Sequence, residues 1–288
     1  VQNRSMVELS QKSESDQITV LNLLRARDTL FARGGNRNRS ATDWYNYCRR
    51  HFLATNSVQQ IADMRGHVAR ELSTLGFPDP TDRNGEQNRS NGMYDLSLFE
   101  AAIAAGLYPN VASRSRGESN FSNMTNRKAK IHISSVNSCQ GQPLSSKSQV
   151  PQGAVEFVAF GELVKGPQIF TMSQTTHLTS PLPLLLLCGK LRVAPIVADK
   201  ETTATTTTTA AQNKPEFALL SVDDWIVFQC ERETAAELVI LRKRLASAFL
   251  RMVAHPRVGM GSLTTEERDA VSTLTVVLKS GYYANVNR

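Results

Sequence analysis

The periodicity of the apolar residues changes along this chain at the turn that contains Gly106 and Pro109. Before this turn, apolar residues recur at intervals of three and four positions, which is the period of amphipathic helices. After it, the stretch from Lys128 to Ile133 alternates polar and apolar residues, as a strand with one solvated face does. The change predicts an α+β chain that is helical first and rich in strands afterwards.

The N-terminal part of the chain is expected to be a helical domain. Its three helices should cover about residues 16–31, 42–53 and 57–75, and Gly76 should end the last of them. Trp44, Tyr47 and Phe52 of the second helix are predicted to pack in a core rather than to bind a ligand. The third helix is predicted to carry Ile61, Met64, Val68, Leu72 and Leu75 on one face.

Five β-rich segments follow, and Gly, Pro and polar residues separate them. They cover residues 128–133, 155–164, 168–172, 216–221 and 225–230. The last two flank Asp223 and Asp224, which predicts a hairpin whose turn these aspartates stabilise, rather than a catalytic carboxylate pair. Five such segments suit a small antiparallel barrel of the oligonucleotide/oligosaccharide-binding (OB) type. Two C-terminal helices are expected after it, the first with Leu245 and Phe249 pointing inward.

The composition divides the chain into units. Residues 78–92 have no apolar periodicity and many turn-forming residues, so they are predicted to connect a helical domain at 1–77 with an OB-like domain at 93–258. A threonine-rich stretch at about 200–214 is expected to be a flexible insert in the second domain. Residues 259–288 should form a helical tail. Because the chain starts with Val1, we expect it to be a portion of a longer protein.

The charge of the chain is basic and locally clustered. Lys and Arg number 33 against 26 Asp and Glu, which favours a polyanionic partner, although a solubilising surface explains such an excess equally well. The local clustering of arginines favours a nucleic-acid partner over a solubilising surface. Between positions 25 and 51, seven arginines face only Asp28 and Asp43. The seven are Arg25, Arg27, Arg33, Arg37, Arg39, Arg49 and Arg50.

Motifs of catalysis and metal binding are missing from the sequence. The chain contains neither the G-x-x-x-x-G-K-[ST] phosphate loop nor a D-E-x-H box, H-E-x-x-H or G-x-S-x-G motif. Its four cysteines form no C-x-x-C pair, which disfavours a zinc site or a disulfide framework and favours reduced thiols in an intracellular compartment. The longest apolar run, Leu182 to Cys188, is far shorter than the roughly 20 residues that span a bilayer. We therefore expect no catalysis, no cofactor and no membrane span.

Several stretches, taken in order, resemble the C-terminal region of DEAH/DExH-box RNA helicases. Ala101–Ala112 resembles the helix and turn that enter the OB-like domain of that family, and Lys130–Asn137 resembles its first RNA-facing strand. The stretches that continue the resemblance are Ser15–Asn22, Asp43–Cys48, residues 157–165, Thr179–Leu187 and Val222–Phe228. The resemblance covers nearly the whole chain. Its departures are Gln17, where the family usually has His, and the threonine-rich insert.

This resemblance implies that the chain is the RNA-binding accessory region of an ATP-dependent RNA helicase. In such enzymes, motor domains in the same polypeptide hold ATP and Mg²⁺ and unwind or remodel RNA, while this region closes the RNA channel and can receive activating proteins. The implied partners are RNA, those motor domains, and an activator protein or ribonucleoprotein. The alternative is an interaction module that docks a protein, with RNA contact secondary.

The residues expected to contact RNA lie on the first strand of the barrel and in the loop before it. If Ile131 and Ile133 point into the core, the opposite face carries cations, an imidazole and hydroxyls, which can bind phosphates, sugars or base edges. The strand candidates are Lys128, Lys130, His132, Ser134 and Ser135, and the loop candidates are Arg114, Arg116 and Arg127. A solvated strand edge and a structural role for His132 are the alternatives.

Overall fold

A computed structural model of the chain describes residues 2–11, 13–33, 37–78, 95–115, 118–139, 155–195 and 217–286. The N-terminal helices are α1 (Gln2–Ser10), α2 (Asp16–Arg33), α3 (Arg37–Arg50), α4 (Thr55–Thr74) and α5 (Leu96–Leu107). The middle elements are β1 (Val111–Ser115), β2 (Phe121–Asn123), β3 (Lys128–Ile131), α6 (Val136–Cys139), β4 (Val155–Lys165), β5 (Phe170–Leu178) and α7 (Leu182–Leu187). The last are β6 (Leu191–Pro195), β7 (Phe217–Val222), β8 (Ile226–Glu231), α8 (Arg232–Ala254), a 3₁₀ turn (Gly259–Ser262) and α9 (Thr265–Val286).

Helices α2, α3 and α4 confirm the helical character predicted for the N-terminal part. Gly76 follows α4 with a φ of +97°, a conformation that glycine adopts without strain, and the amide of Phe77 donates back to the carbonyl of Leu72. A small core holds the three helices together because each contributes apolar side chains to it. Its buried members are Leu23, Leu24, Trp44, Cys48 and Val58.

The apolar face of α4 is largely exposed. Met64 and Leu75 expose 64% and 66% of their surface, and only Val58 and Ala69 of this helix are buried. Ile61, Val68 and Leu72 are exposed as well. The core packing predicted for Phe52 is wrong, because this residue lies beyond the end of α3 with a φ of +57° and its side chain is exposed. Periodicity identifies the apolar face of a helix, but it does not show whether another element covers that face.

Strands β1 to β5 form a closed barrel in the order β1-β2-β3-β5-β4. Strand β3 pairs with β5 in parallel, and every other pair in the barrel is antiparallel. Alternate residues of each strand point inward and fill the interior. The buried side chains of this core are Ala112, Phe121, Ala129, Val158, Phe160 and Met172. The OB-type barrel predicted from the sequence is therefore present, with one parallel pair that its strand pattern did not reveal.

The strands that complete the barrel differ from those predicted. Strands β7 and β8 pair with each other as expected, but they belong to a separate three-stranded sheet of order β6-β7-β8, so their assignment to the barrel is wrong. Strands β1 and β2 take their place. With five and three residues and mostly polar sequences, these two strands are too short for an alternating pattern to be recognised.

The hairpin between β7 and β8 turns at the two adjacent aspartates. Asp223 and Asp224 have φ values of +49° and +57°, and the amide of Trp225 donates to the carbonyl of Val222 at 3.1 Å. Two successive residues with positive φ form the kind of turn that matches the twist of a hairpin. The predicted structural role of these aspartates is confirmed, and Asp224 also pairs with Arg192 at 2.5 Å.

Helices α8 and α9 pack on α7 through a small apolar cluster that includes Leu186, Leu245 and Ala270. The inward position predicted for Phe249 is wrong, since this side chain is 67% exposed. No helix in the described ranges is long and apolar enough to cross a membrane. The threonine-rich insert and nearly all of the predicted connecting loop lie outside the described residues.

Candidate nucleic-acid interface

Strand β3 presents its two lysines on the outer surface of the barrel. Ala129 is fully buried and Ile131 packs against the barrel core, so Lys128 and Lys130, which alternate with them, point outward and are exposed. Lys128 lies beside Ser122 of β2, and Lys130 lies beside Thr171 of β5. The ammonium of Lys128 is 3.9 Å from a carboxylate oxygen of Glu118, a distance that provides little stabilisation at an exposed site. Both cations are therefore accessible to an anionic ligand.

The strand ends at Ile131, and His132 to Ser134 form an exposed turn, which we call the β3 turn. Ile133 is 75% exposed, so its predicted inward orientation is wrong. The amide of Ser134 donates to Nδ1 of His132 at 3.2 Å, and the Ser134 hydroxyl lies 2.7 Å from the same nitrogen. Because Nδ1 accepts from a backbone amide, the ring proton of a neutral imidazole belongs on Nε2, which can donate to a ligand.

Ser135 has a different environment from the residues that precede it. Its side chain is buried, and its hydroxyl lies 2.7 Å from the hydroxyl of Thr175 on β5. The same oxygen accepts from the amide of Asn137 at 3.2 Å, at the start of α6. These contacts place Ser135 inside the molecule, away from the exposed surface where its RNA contact was expected.

The three predicted loop arginines also differ in their placement. Arg114 pairs with the buried carboxylate of Glu156 at 2.7 Å and covers the ring of Phe121, so its charge is compensated. Arg127 is exposed and stacks over the ring of Phe170, with 5.2 Å between its guanidinium carbon and the ring centroid. It lies next to Lys128 in the chain. Arg116 lies outside the described residues.

The arginine cluster of α2 and α3 is partly neutralised within the helical domain. Arg27 donates to Gln59 at 2.7 Å, lies 3.5 Å from Asp28 and covers the ring of Phe31. Arg50 is exposed and lines an open cavity of about 280 Å³ between α2 and α3. The other residues around this cavity are Leu30, Asp43, Asn46 and Tyr47. The side chains of Arg33, Arg37 and Arg39 lie outside the described residues.

Sequence reasoning missed the polar contacts that hold α2 against the barrel. Ser15 begins α2, with its hydroxyl accepting from the amide of Ile18 at 3.1 Å, and it also lies 2.6 Å from the hydroxyl of Thr176. Gln17 donates to the carbonyl of Gln174 at 2.8 Å, so the residue that departs from the family pattern makes a contact with β5. A serine followed by an acidic residue predicts the start of a helix, but it does not predict partners about 160 positions away.

A buried carboxylate lies where α5 meets the end of β5. Burial raises the pKa of Glu100 to about 7, and the negative charge of Glu14 acts in the same direction. Hydrogen bonds from Thr179 oppose this change but do not cancel it.

Within the described residues, no group of three or more His, Cys, Asp or Glu side chains is arranged to hold a metal ion. The exposed residues of β3 and the β3 turn instead offer cations and hydrogen-bond donors, which are suited to binding an anionic polymer.

Comparison with known proteins agrees with the barrel architecture. Residues 99–191 match the family model described as the oligonucleotide/oligosaccharide-binding (OB) fold, a range that contains β1 to β5. The chain is 25% identical over 252 residues to the ATP-dependent DNA/RNA helicase DHX36 of Mus musculus, covering 86% of this chain and 22% of that protein.

Two further relatives extend the comparison. The ATP-dependent RNA helicase DHX29 of Mus musculus is 24% identical over 258 residues, covering 86% of this chain and 16% of that protein. The DExH-box ATP-dependent RNA helicase DExH1 of Arabidopsis thaliana is 28% identical over 178 residues, covering 62% of this chain and 16% of that protein. The chain thus spans about a fifth or less of the length of each of these three relatives.

Proposed function

From the premise that this chain contains an OB-fold domain and is homologous over most of its length to DExH-box helicases, we propose that it is an RNA-binding accessory region of such an enzyme. Its ligand is single-stranded RNA, bound along β3 and the β3 turn. The parent enzyme uses ATP and Mg²⁺ in motor domains to unwind or remodel RNA. These motor domains, in the same polypeptide, are the proposed partners of the chain.

The observation that carries this proposal is the run of exposed polar side chains along β3 and the β3 turn. Lys128, Lys130, His132 and Ser134 follow one another along seven residues of chain, and all four side chains are exposed. Two ammonium groups can bind successive phosphates, while the imidazole and the hydroxyl can hydrogen-bond to sugars or base edges. Arg127 adds a cation at the start of the same strand. Ser135 and Arg114 are not included because their polar groups already have partners within the protein.

The proposal is tested by titrating the 288-residue chain with a labelled single-stranded oligouridine of about 12 nucleotides at several salt concentrations. Binding should weaken steeply with salt, since protein cations that bind phosphates release counterions from the RNA. Replacing Lys128 and Lys130 together by Ala should lower affinity and reduce the salt slope by up to roughly 0.7 for each phosphate that the variant no longer neutralises. Duplex RNA of the same length should bind less well.

A matched control separates these lysines from the general charge of the protein. Lys190, which precedes β6, and Lys243, on α8, are exposed, and replacing both by Ala removes the same two charges from other elements. This control variant should keep the salt slope of the unmodified chain. If both double variants behave alike, β3 is not the binding surface, and an absence of RNA binding by the unmodified chain would remove the proposal altogether.

Protein docking is a second candidate function, and the exposed apolar residues of α4 favour it. Met64, Val68 and Leu75 expose half or more of their surface on one helix, and a group of exposed apolar side chains is typical of an interaction surface. A motor domain, an activator protein or a ribonucleoprotein could cover them. In this case, replacing Met64 and Val68 by Gln should abolish partner binding while leaving RNA affinity unchanged.

A further inference from the structure

The carboxylate of Asp16 joins two separate parts of the barrel. Its Oδ1 accepts from the amide of Val136 at 2.8 Å, and its Oδ2 accepts from the amide of Thr175 at 2.7 Å. Val136 is the first residue of α6, which directly follows the β3 turn, and Thr175 lies in β5. One side chain at the start of α2 therefore fixes the position of the segment after the turn relative to the strand beside it.

The β3 turn depends on such contacts because its own residues are exposed. On one side it is held by the amide of His132, which donates to the carbonyl of Met172 at 2.8 Å. On the other side Val136 is fully buried, and Asn137 donates to the hydroxyl of Thr175 at 2.9 Å. The carboxylate of Asp16, which belongs to α2 in the helical domain, also holds this second side by accepting from the amide of Val136. The geometry of the exposed imidazole and hydroxyl is thus set by contacts beneath them.

We propose that Asp16 is a positioning residue of the RNA-binding surface, which acts through the backbone of the β3 turn and does not itself touch RNA. This inference rests on the proposed function. It assigns the helical domain a direct role in the affinity of the barrel, because the carboxylate that anchors the turn belongs to α2. A hydrogen bond to a charged group is stronger than one between neutral groups, so a carboxylate is well suited to this task.

The replacement that tests this role is Asp16→Asn. An amide group has one acceptor oxygen, so it can satisfy only one of the two backbone amides, and its NH₂ group faces the other N–H. We expect the Kd for the oligouridine to rise about tenfold, which corresponds to about 1.4 kcal/mol. The salt slope should not change, since the lysines still bind the same phosphates.

A double-mutant cycle distinguishes positioning from a general loss of stability. In a chain that carries His132→Ala and Ser134→Ala, the groups that Asp16 positions are missing, so adding Asp16→Asn should change the Kd by less than about twofold. Gln17→Ala is the matched control, because Gln17 contacts β5 from the same turn of α2 but does not contact the β3 turn. Its effect should be the same in both backgrounds.

The inference is overturned if Asp16→Asn leaves the Kd unchanged, if it raises the Kd by the same factor in both backgrounds, or if Gln17→Ala shows the same dependence on the turn. If Asp16→Asn does not fold, Asp16→Glu takes its place in the cycle, since it keeps both acceptor oxygens and displaces them by one methylene. Failure of the unmodified chain to bind RNA would instead reject the proposed function, so the two failures are distinguishable.

Discussion

Glu100 accepts two hydrogen bonds from Thr179, one from its amide at 3.1 Å and one from its hydroxyl at 2.8 Å. The pair connects α5 to the residue that follows β5, and the carboxyl group is almost fully buried there. Burial makes ionisation unfavourable and raises the pKa of Glu100 from an ordinary value of 4.5 to about 7. The proton that this group holds near neutral pH therefore contributes to the stability of the fold.

The stability of the protein should fall as the pH rises from about 4.5 to about 7, because the unfolded chain releases this proton before the folded one does. The contribution of Glu100 amounts to about 3 kcal/mol over that interval. Glu100→Gln mimics the protonated form, so the variant should be more stable than the unmodified chain at pH 8 but not at pH 4. Urea unfolding at both pH values measures the difference.

Glu162→Gln serves as the control for this measurement, since Glu162 is an exposed carboxylate on β4. Because this variant keeps Glu100, the fall in stability between pH 4 and pH 8 that Glu100 causes should remain. An equal fall in stability with pH for the Glu100→Gln variant and the unmodified chain would show that Glu100 is not the titrating group.

Arg242 should be needed to hold α7 in place. Its guanidinium, reaching from α8, donates to the carbonyls of Leu185 at 2.6 Å and Cys188 at 2.7 Å, and also to the carbonyl of Gly189. Arg242→Met keeps the aliphatic length of the side chain but leaves these carbonyls without their donor, so it should lower the free energy of unfolding by about 3 kcal/mol. Chemical denaturation measures this loss.

Arg244 provides the comparison for that variant, because it lies on the same helix and pairs with Glu266 at 3.1 Å on the exposed surface. Arg244→Met should cost less than about 1 kcal/mol. Equal costs for the two substitutions would mean that the position of α7 does not depend on Arg242.

The threonine-rich stretch should be dispensable for folding and for RNA binding. Strands β6 and β7 pair directly, with Pro195 opposite Ala218, so a short connection can join them. Loop closure depends only logarithmically on length, and replacing residues 202–213 by a few Gly and Ser residues should change stability by less than about 1 kcal/mol. Thermal unfolding and the oligouridine titration are the measurements. A large decrease in either stability or affinity would show that the threonines pack or bind.

The isolated chain should not hydrolyse ATP, because its sequence contains neither a phosphate-binding loop nor a D-E-x-H box. The expected rate of phosphate release equals that of a mock purification from cells without the gene. Hydrolysis above that level, which also persists after a further purification step, would contradict this prediction. ATPase activity is expected only when motor domains are joined to the chain.

The features that the sequence predicted well are those set by neighbouring residues. Gly76 ends α4, and Asp223 with Asp224 forms the hairpin turn, since each depends on the local backbone. The alternation through Lys128 and Lys130 placed both lysines outward correctly. It failed three residues after Lys130, at Ile133, because the strand ends at Ile131 and the chain turns. A period-two pattern does not mark the residue at which pairing stops.

The features that the sequence did not predict depend on residues far apart in the chain. The role of Asp16 rests on amides 120 and 159 positions away, and no local pattern specifies which amides a carboxylate will reach. The parallel pairing of β3 with β5 is equally non-local. The exposed face of α4 illustrates a different limit, because amphipathicity reports the composition of a surface and not its neighbours.

The parallel pairing of β3 with β5 also determines which pieces of this protein can be produced on their own. Strand β5 lies between β3 and β4, so a chain shortened before residue 170 leaves both strands with unpaired edges, a known cause of aggregation. Since Asp16 and Gln17 also bond to β5, the barrel expressed without α2 would lose these contacts to that strand. During synthesis, the contact between Asp16 and the amide of Thr175 can form only after about 160 further residues have been added. Such long-range contacts are expected to form slowly during folding.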